Sequence, residues 1–179
     1  MITRRSLFAA GGGALALAGC ATEQVTADGR FPIMSVLGIM SDVSNFRSAL
    51  RSTNLDELLA GPGPFTVFAP TNAALEGAPP AMREGGAAVL RNLIAAGRLR
   101  LADIRARDGR VRMLSGIDIR IVGGTNNAPR IQAVRAGAQP SGAWDRIIRR
   151  DVMCSDGIIQ VVDSVRFPAG FRVPVAWAT

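Results

Sequence analysis

The sequence predicts a mixed α+β domain, with helices in its first half and an antiparallel sheet in its second. Apolar residues recur at helical spacing between positions 33 and 59, and after position 110 the apolar period changes to two. Residues 156–168 are largely apolar on both faces of a strand, as expected for a central strand packed between layers. The chain has 179 residues, 48% of them hydrophobic, which is enough for one well-packed core.

The N-terminal residues have the pattern of a lipoprotein leader. Two arginines precede an uncharged apolar stretch that is too short for a membrane span and suits a signal peptide over residues 1–19. The letters LAGC, ending at Cys20, resemble the lipobox of bacterial lipoproteins, in which the cysteine is acylated and becomes the new N-terminus. TRRSLF also resembles a twin-arginine signal with its last two residues reversed, so the export route stays open. We expect a lipid at Cys20, a polar tether over residues 20–30, and a location in the cell envelope outside the cytoplasm.

Three helical segments are predicted before the first strand. The first covers the apolar positions from Ile33 to Val43, and the second begins near Ser44. The third follows Asn54, whose side chain is well suited to an N-cap, and a glycine–proline pair ends it. The domain therefore opens with helices.

The stretch FTVF, residues 65–68, predicts a short buried strand because it joins two β-branched and two aromatic residues between proline-containing flanks. Thr71 or Asn72 is expected to cap a helical turn directly after it. Beyond a glycine- and proline-rich loop, residues 89–94 predict another helix, and a further helical turn is expected at residues 101–104.

The remaining strands are predicted from alternation. Residues 111–113, 117–121 and 131–133 alternate apolar and polar positions, with turn-forming segments between them. In the last strand, within residues 156–168, Asp163 falls on an otherwise apolar face. We expect this acid to accept hydrogen bonds from backbone amides or an arginine, because buried charges are normally paired.

Composition excludes several kinds of chemistry. The chain has no histidine, and all 21 of its basic residues are arginine. Without histidine and lysine there is no Ser-His-Asp triad, no imidazole metal ligand and no Schiff base. A hydrolase that uses only carboxylates remains as a remote alternative. After Cys20 the only cysteine is Cys154, which we expect to be buried and unreactive. We predict a protein that is not an enzyme and has no cofactor or metal.

The basic charge points to acidic partners other than nucleic acid. The full chain has a net charge of +7, and removal of the two leader arginines leaves 19 arginines against 14 acids. Six arginines fall within residues 98–112, but no aromatic residue lies among them, so a stacking platform for nucleic acid is not expected. We instead expect the positive charge to attract anionic lipid or acidic polysaccharide.

Two segments resemble the sequence boxes of the fasciclin domain. TVFAPTNAAL, residues 66–75, and DGIIQVVDSVRFP, residues 156–168, occur in the right order and at the right separation. The resemblance places a domain at residues 31–168, followed by a tail at residues 169–179. It implies a β-sandwich or wedge of about seven strands flanked by helices, with the two boxes as neighbouring central strands. Family members are usually exported and mediate adhesion without a cofactor.

The resemblance also indicates candidate partner-binding residues. In animal members an Asp-Ile pair before the second box has been associated with integrin recognition, and the matching positions here are Asp151 and Val152, followed by Met153. Ordinary strand-edge residues are the alternative interpretation. The chain departs from the family at Asn92, near the position of a common Tyr-His pair, and at Gln160, where histidine is common.

Two functions remain open from the sequence. The first is a membrane-anchored, non-catalytic adhesion module that binds a protein or an acidic polysaccharide through its loops and arginines. The second is a periplasmic carrier of a small apolar ligand in a cleft between sheet and helices. An enclosed apolar cavity would favour the carrier, whereas a filled core with a broad basic face would favour adhesion.

Overall fold

A computed structural model of the chain describes residues 29–78, 86–125, 128–135 and 143–166. The predicted leader with Cys20, most of the predicted tether and the predicted tail at residues 169–179 lie outside these ranges. None of the helices within them has the length and hydrophobicity of a membrane span.

The first part of the described chain is helical, as predicted. Helix α1 is followed by a 3-10 helix and by helices α2 and α3, with bounds Ile33–Ile39, Ser41–Val43, Ser44–Ser52 and Leu55–Ala60. Their apolar faces are fully buried at Ile33, Phe46, Leu50 and Leu59. Because these side chains belong to the same core cluster as the sheet, the helices pack on the sheet as one hydrophobic unit.

Asn54 does occupy the N-cap position of α3, but its side chain makes no capping hydrogen bond. Its backbone is left-handed, with φ of 55°. Asparagine tolerates this region better than most residues, so Asn54 serves the tight connection between α2 and α3. The predicted capping role was wrong.

Seven strands are found in the described residues, and they form a single curved sheet in the order β2-β1-β7-β6-β5-β4-β3. Strands β1 and β7 are parallel, and the other neighbouring pairs are antiparallel. The bounds of β1 to β7 are Phe65–Pro70, Ile94–Ala96, Arg110–Arg112, Asp118–Gly124, Pro129–Val134, Asp145–Cys154 and Gly157–Val162.

The two ends of the sheet approach each other. Ala95 in β2 forms an antiparallel bridge with Met113, just beyond β3, and the Leu114 amide donates to the Ile94 carbonyl at 2.8 Å. The sheet is therefore nearly closed, like a barrel, with helices outside it. The predicted α+β class, the wedge-like sheet and the number of about seven strands are confirmed.

The two sequence boxes form neighbouring central strands, also as predicted. Strand β1 pairs with β7 from Phe65 opposite Gly157 to Pro70 opposite Val162. All six residues of β7 are buried, because layers cover the strand on both faces. The Asp156 side chain accepts a hydrogen bond from the first amide of α1, at Ile33, with a distance of 2.8 Å. The second box thus joins the central strands to the first helix.

Residues 89–94 differ from their prediction as one helix. Helix α5 covers only Gly86–Leu90, a 3-10 helix covers Arg91–Leu93, and the chain then enters β2. Ile94 pairs with Val67 of β1, so sheet pairing overrides the local helical pattern. A short apolar run does not distinguish a helix from a buried strand by its periodicity alone.

The connection after β1 and the segment before β3 follow the predictions. Helix α4 covers Asn72–Glu76, and the Thr71 hydroxyl caps it by accepting a bond from the Ala74 amide at 3.1 Å. The Asn72 side chain accepts from the Asn45 amide at 3.0 Å, which attaches α4 to the start of α2. Helix α6 covers Leu101–Ala106.

Candidate functional site

The three residues predicted as a partner contact lie in the second half of β6, where Val152 and Met153 pair with β7, whereas the pairing of β6 with β5 is at its start, at residues 145 and 146. Asp151 directs its carboxylate into the fold, where Oδ1 accepts hydrogen bonds from the Leu101 amide at 2.9 Å and from Nε2 of Gln160 at 2.8 Å. Val152 is only 7% exposed, and Met153 is half-buried. A partner role for these residues stays a prediction, and they offer a partner little surface.

Asp151 and Gln160 belong to a buried polar network that was not predicted from the sequence. The Asp151 amide donates to Oε1 of Gln160 at 3.0 Å, so the two residues are bonded twice. Thr66, fully buried beside them in β1, donates to the Gly97 carbonyl at 2.6 Å and accepts from the Leu99 amide at 2.9 Å. The network fastens the start of α6 to the central strands. A glutamine inside a strand that is apolar on both faces was the available signal, because such a group needs a partner.

Cys154, at the end of β6, is fully buried, as predicted. Burial raises the pKa of its thiol to about 12, and the negative charge of Asp156 adds to the effect. The thiolate is the reactive form of cysteine, so Cys154 is a poor nucleophile near neutral pH.

Two acids near the end of β7 share the hydroxyl of Ser164. Asp163 accepts hydrogen bonds from the backbone amide of Arg146 at 3.0 Å and from its Nε at 2.9 Å, which confirms the predicted pairing. Burial opposes ionisation, but these bonds and the Ser164 hydroxyl together lower the pKa of Asp163. Asp145 also accepts from Ser164, at 2.7 Å, and its burial raises its pKa.

Neighbouring acids whose pKa values move in opposite directions are typical of general acid–base catalysis. Here, however, each carboxylate is engaged by an arginine. Arg146 binds Asp163, and Nε of Arg166 lies 3.4 Å from Oδ1 of Asp145. The arrangement favours a structural role, since it fastens β6 to the segment that follows β7. In the described ranges, no group of three or more His, Cys, Asp or Glu side chains could hold a metal ion.

A small, partly open cavity lies between the curved sheet and the 3-10 helix at Arg91–Leu93. Its lining is mostly apolar, with Phe68, Ile119 and Ile131 among its side chains, and its volume is about 20 Å³. That is room for about one water molecule, whereas a ligand pocket generally needs about 300 Å³ or more. Asn92, 2% exposed, also lines this cavity, and its amide has no hydrogen-bond partner among the described residues.

The charge of the molecule is divided unevenly. Residues 29–78, which include helices α1 to α4, contain three arginines and four acids. Residues 86–166, which contain most of the sheet, have 14 arginines and seven acids. The sheet half is therefore strongly basic, while the helical half is close to neutral.

Strand alternation places many of these arginines on the outside of the sheet. Along β3 to β6, apolar residues such as Val111 and Ile147 face the core, and the arginines between them lie on the other face. Most of these arginines are exposed, but the Arg120 side chain is only 14% exposed. Opposite positions on neighbouring strands carry arginine twice, at Arg110 with Arg120 and at Arg130 with Arg146. We call the following set the arginine face: Arg107, Arg110, Arg112, Arg120, Arg130 and Arg146.

Acids inside this surface hold several of the guanidinium groups in place. Arg112 pairs with the buried Asp118 at 2.5 Å, and Arg120 pairs with the exposed Asp108 at 3.1 Å. Arg107, Arg110 and Arg112 line a shallow open cleft with both acids. Three arginines against two acids leave this cleft with an excess of positive charge.

The other end of the arginine face contains an exposed aromatic residue. The guanidinium of Arg130 lies 4.0 Å from the ring centroid of Trp144, which is a cation–π contact. Trp144 is 39% exposed, so its ring is accessible beside the arginine.

A family model described as Fasciclin domain matches residues 41–168, which include most of the described elements. The chain belongs to the fasciclin family. The resemblance predicted from the two boxes is thus confirmed. A curated relative of this fasciclin domain, Protein sll1483 of Synechocystis sp., is 26% identical over 157 residues, covering 82% of this chain and 78% of that protein.

A solved structure has the same fold. The FAS1 domain pair of the insect cell adhesion molecule Fasciclin I aligns with a TM-score of 0.60 and 16% sequence identity. The alignment covers 75% of this chain and 50% of that pair, so this fasciclin chain spans about half the length of the matched structure. At this identity the similarity shows the fold.

Proposed function

We propose that this fasciclin protein is a non-catalytic adhesion module of the cell envelope, which binds a protein or an acidic polysaccharide outside the cytoplasm. The observation that carries the proposal is the uneven charge, with 14 arginines against seven acids in residues 86–166. Such a field attracts acidic macromolecules and increases their rate of association. The insect protein Fasciclin I, which has the same fold, is a cell adhesion molecule, and this supports the same proposal.

The described space between the sheet and the helices favours adhesion over the carrier, because the cavity there is about 20 Å³, has the polar Asn92 in its wall and is too small for an apolar ligand. The larger cleft among α2, α4 and α5, about 370 Å³, is open to solvent and has Asn45, Ser52 and Glu76 in its lining. The acids at the end of β7 are likewise bound to arginines and a serine, which argues against a carboxylate-based hydrolase. We therefore keep the adhesion module as the single proposed function.

The proposed anchor is the acyl group on Cys20. The basic start, the short apolar stretch and the small residues before Cys20 support it. Membrane fractionation of the wild type and of Cys20→Ala tests this part. We expect the wild type in the membrane fraction and the variant in the soluble fraction, and equal distribution of both would refute the anchor.

The binding function is tested with arrays of glycans and envelope proteins. We expect saturable binding to an acidic partner that weakens as salt is added, because exposed charges are screened over about 10 Å at 0.1 M ionic strength. If the protein binds no component of either array saturably at low salt, the adhesion proposal is wrong.

A further inference from the structure

The arginine face is arranged to meet several anions of one chain. Arg110 and Arg120 are directly opposite each other on β3 and β4, and so are Arg130 and Arg146 on β5 and β6. Neighbouring strands are about 4.8 Å apart, so the two arginines of each pair are closely spaced. The Arg120 side chain is only 14% exposed, so Arg110 supplies most of the accessible charge of the first pair, whereas Arg130 and Arg146 are both exposed. One small anion meets only one such pair, whereas a polymer with regularly spaced anions can meet both.

The two pairs are connected across the sheet. Gln132 of β5 lies opposite Arg120, and Arg130 is two residues before it on the same face of β5. Two residues of a strand span about 7 Å, so the pairs follow one diagonal across four strands. Gln132 is buried, with its amide donating to the Ala143 carbonyl at 2.9 Å, so the exposed parts of the diagonal are the arginines at its two ends.

From this arrangement we infer that the arginine face binds an acidic polysaccharide along the diagonal from β3 to β6. The inference rests on the proposed function and gives it a binding surface and a ligand class. Guanidinium groups bind carboxylates and sulfates through paired N–H donors, and several weak contacts on one polymer add to a useful affinity. Trp144, exposed beside Arg130, adds a flat apolar surface for a sugar ring.

Arg146 of the arginine face and the point where the chain enters the domain lie at opposite ends of β6. The chain enters the domain at the far end of β6, where the Ser155 amide donates to the Phe31 carbonyl at 2.9 Å. Arg146 stands at the other end of β6, eight residues before Cys154, which corresponds to about 25 Å of extended strand. The predicted tether over residues 20–30 can extend to about 35 Å, so an anchored domain can present the arginine face to a polymer away from the bilayer.

The test compares two triple variants of the full chain in neutral detergent. The first, Arg107→Gln, Arg110→Gln and Arg130→Gln, removes charge from the arginine face but keeps the arginines that neutralise Asp118 and Asp163. The second, Arg30→Gln, Arg51→Gln and Arg149→Gln, removes the same charge elsewhere, from side chains that are all exposed. Thermal unfolding establishes that both variants are folded.

The probe is polygalacturonate, with neutral dextran as the uncharged polymer. We expect the first triple variant to bind polygalacturonate about tenfold more weakly than the wild type, as the loss of three exposed ion contacts implies. The affinity of the control variant should stay within about twofold of the wild-type affinity. Dextran is expected not to bind. If both variants bind polygalacturonate equally weakly, the arginine face is not the binding site and the inference is wrong, but the proposed adhesion function remains.

Two further outcomes separate the remaining alternatives. If the wild type ignores polygalacturonate but binds an acidic envelope protein, the polysaccharide inference is wrong and the adhesion function stands. Binding to vesicles of equimolar phosphatidylcholine and phosphatidylglycerol is measured with the same three chains. If only the first triple variant loses vesicle binding, while polygalacturonate binds all three chains alike, the face is a lipid-binding surface and the inference is wrong.

Discussion

At the level of single residues, the largest structural role falls to polar side chains inside the core. Gln160→Leu would remove the donor that Asp151 meets at 2.8 Å and leave the Asp151 amide without its acceptor. We expect the free energy of unfolding to fall by about 1–3 kcal/mol, since buried polar groups would lose their partners. Urea denaturation measures the change. The control is Gln132→Leu, which removes a second buried glutamine, on β5, and leaves the hydrogen bonds of Asp151 in place.

A contradictory result for Gln160 would be a stability equal to that of the wild type. It would mean that the Asp151 carboxylate finds other donors, in which case the network is not a brace between α6 and the central strands. The capping hydroxyl of Thr71 could be predicted from the sequence because its partner is only three residues away. The Asp151–Gln160 pair could not, since the sequence does not state the register that brings β6 and β7 together.

The lowered pKa of Asp163 leads to a prediction about how stability depends on pH. An acid whose pKa is lower in the folded state stabilises the fold above its ordinary value of 3.8, and this contribution is lost as the pH falls through the folded pKa. Asp163→Asn should therefore destabilise the protein by about 1 kcal/mol at pH 7 and by progressively less below pH 4. Denaturation curves at several pH values measure this.

The control for Asp163 is Asp108→Asn, because the Asp108 side chain is 79% exposed. This variant should differ less from the wild type at pH 7 than Asp163→Asn does. A constant deficit for Asp163→Asn across the acid range would show that its charge is not what stabilises the fold.

At the level of elements, the parallel pairing of β1 and β7 depends on a glycine. A Cβ atom at Gly157 would collide with the Phe65 carbonyl oxygen and would lie 2.8 Å from Cδ1 of Ile33. Gly157→Ala should lower the free energy of unfolding by about 1–3 kcal/mol, because the strands must separate to admit the methyl group. Gly77→Ala is the matched control, since its Cβ has an ordinary contact of 3.4 Å to the Ala73 carbonyl oxygen. A Gly157→Ala protein as stable as the control would contradict this close approach.

The elements themselves were predicted unequally. Strand β7 could be predicted because residues 156–168 are largely apolar on both faces of a strand, and α1 to α3 followed from helical spacing. Strand β2 was assigned to a helix because Ile94–Ala96 has no local feature of a strand. Its conformation comes from pairing with β1, a contact about 30 residues away in sequence, and tertiary contacts of this kind override propensity.

For the whole molecule, the order of helices before strands was predicted, but the closure of the sheet was not. The bridge between Ala95 and Met113 joins two short segments whose patterns are weak, so only the three-dimensional structure brings the ends together. The arrangement of the charges, like the closure of the sheet, could be predicted only in part. The arginines can be counted in the sequence, whereas their alignment on one face depends on the register of four strands.

The buried thiol of Cys154 reports on the cooperativity of the whole domain. In a Cys20→Ala chain it is the one remaining cysteine, and it is fully buried at the end of β6, next to the central strand β7. If the domain opens only globally, a thiol reagent at neutral pH should label Cys154 at least about 1,000-fold more slowly than in the urea-unfolded chain, as expected for a stability of about 5 kcal/mol or more. Added urea should accelerate labelling in proportion to the unfolded fraction. Rapid labelling in the absence of urea would mean that the end of β6 opens locally, and the sheet would then not be a single cooperative unit.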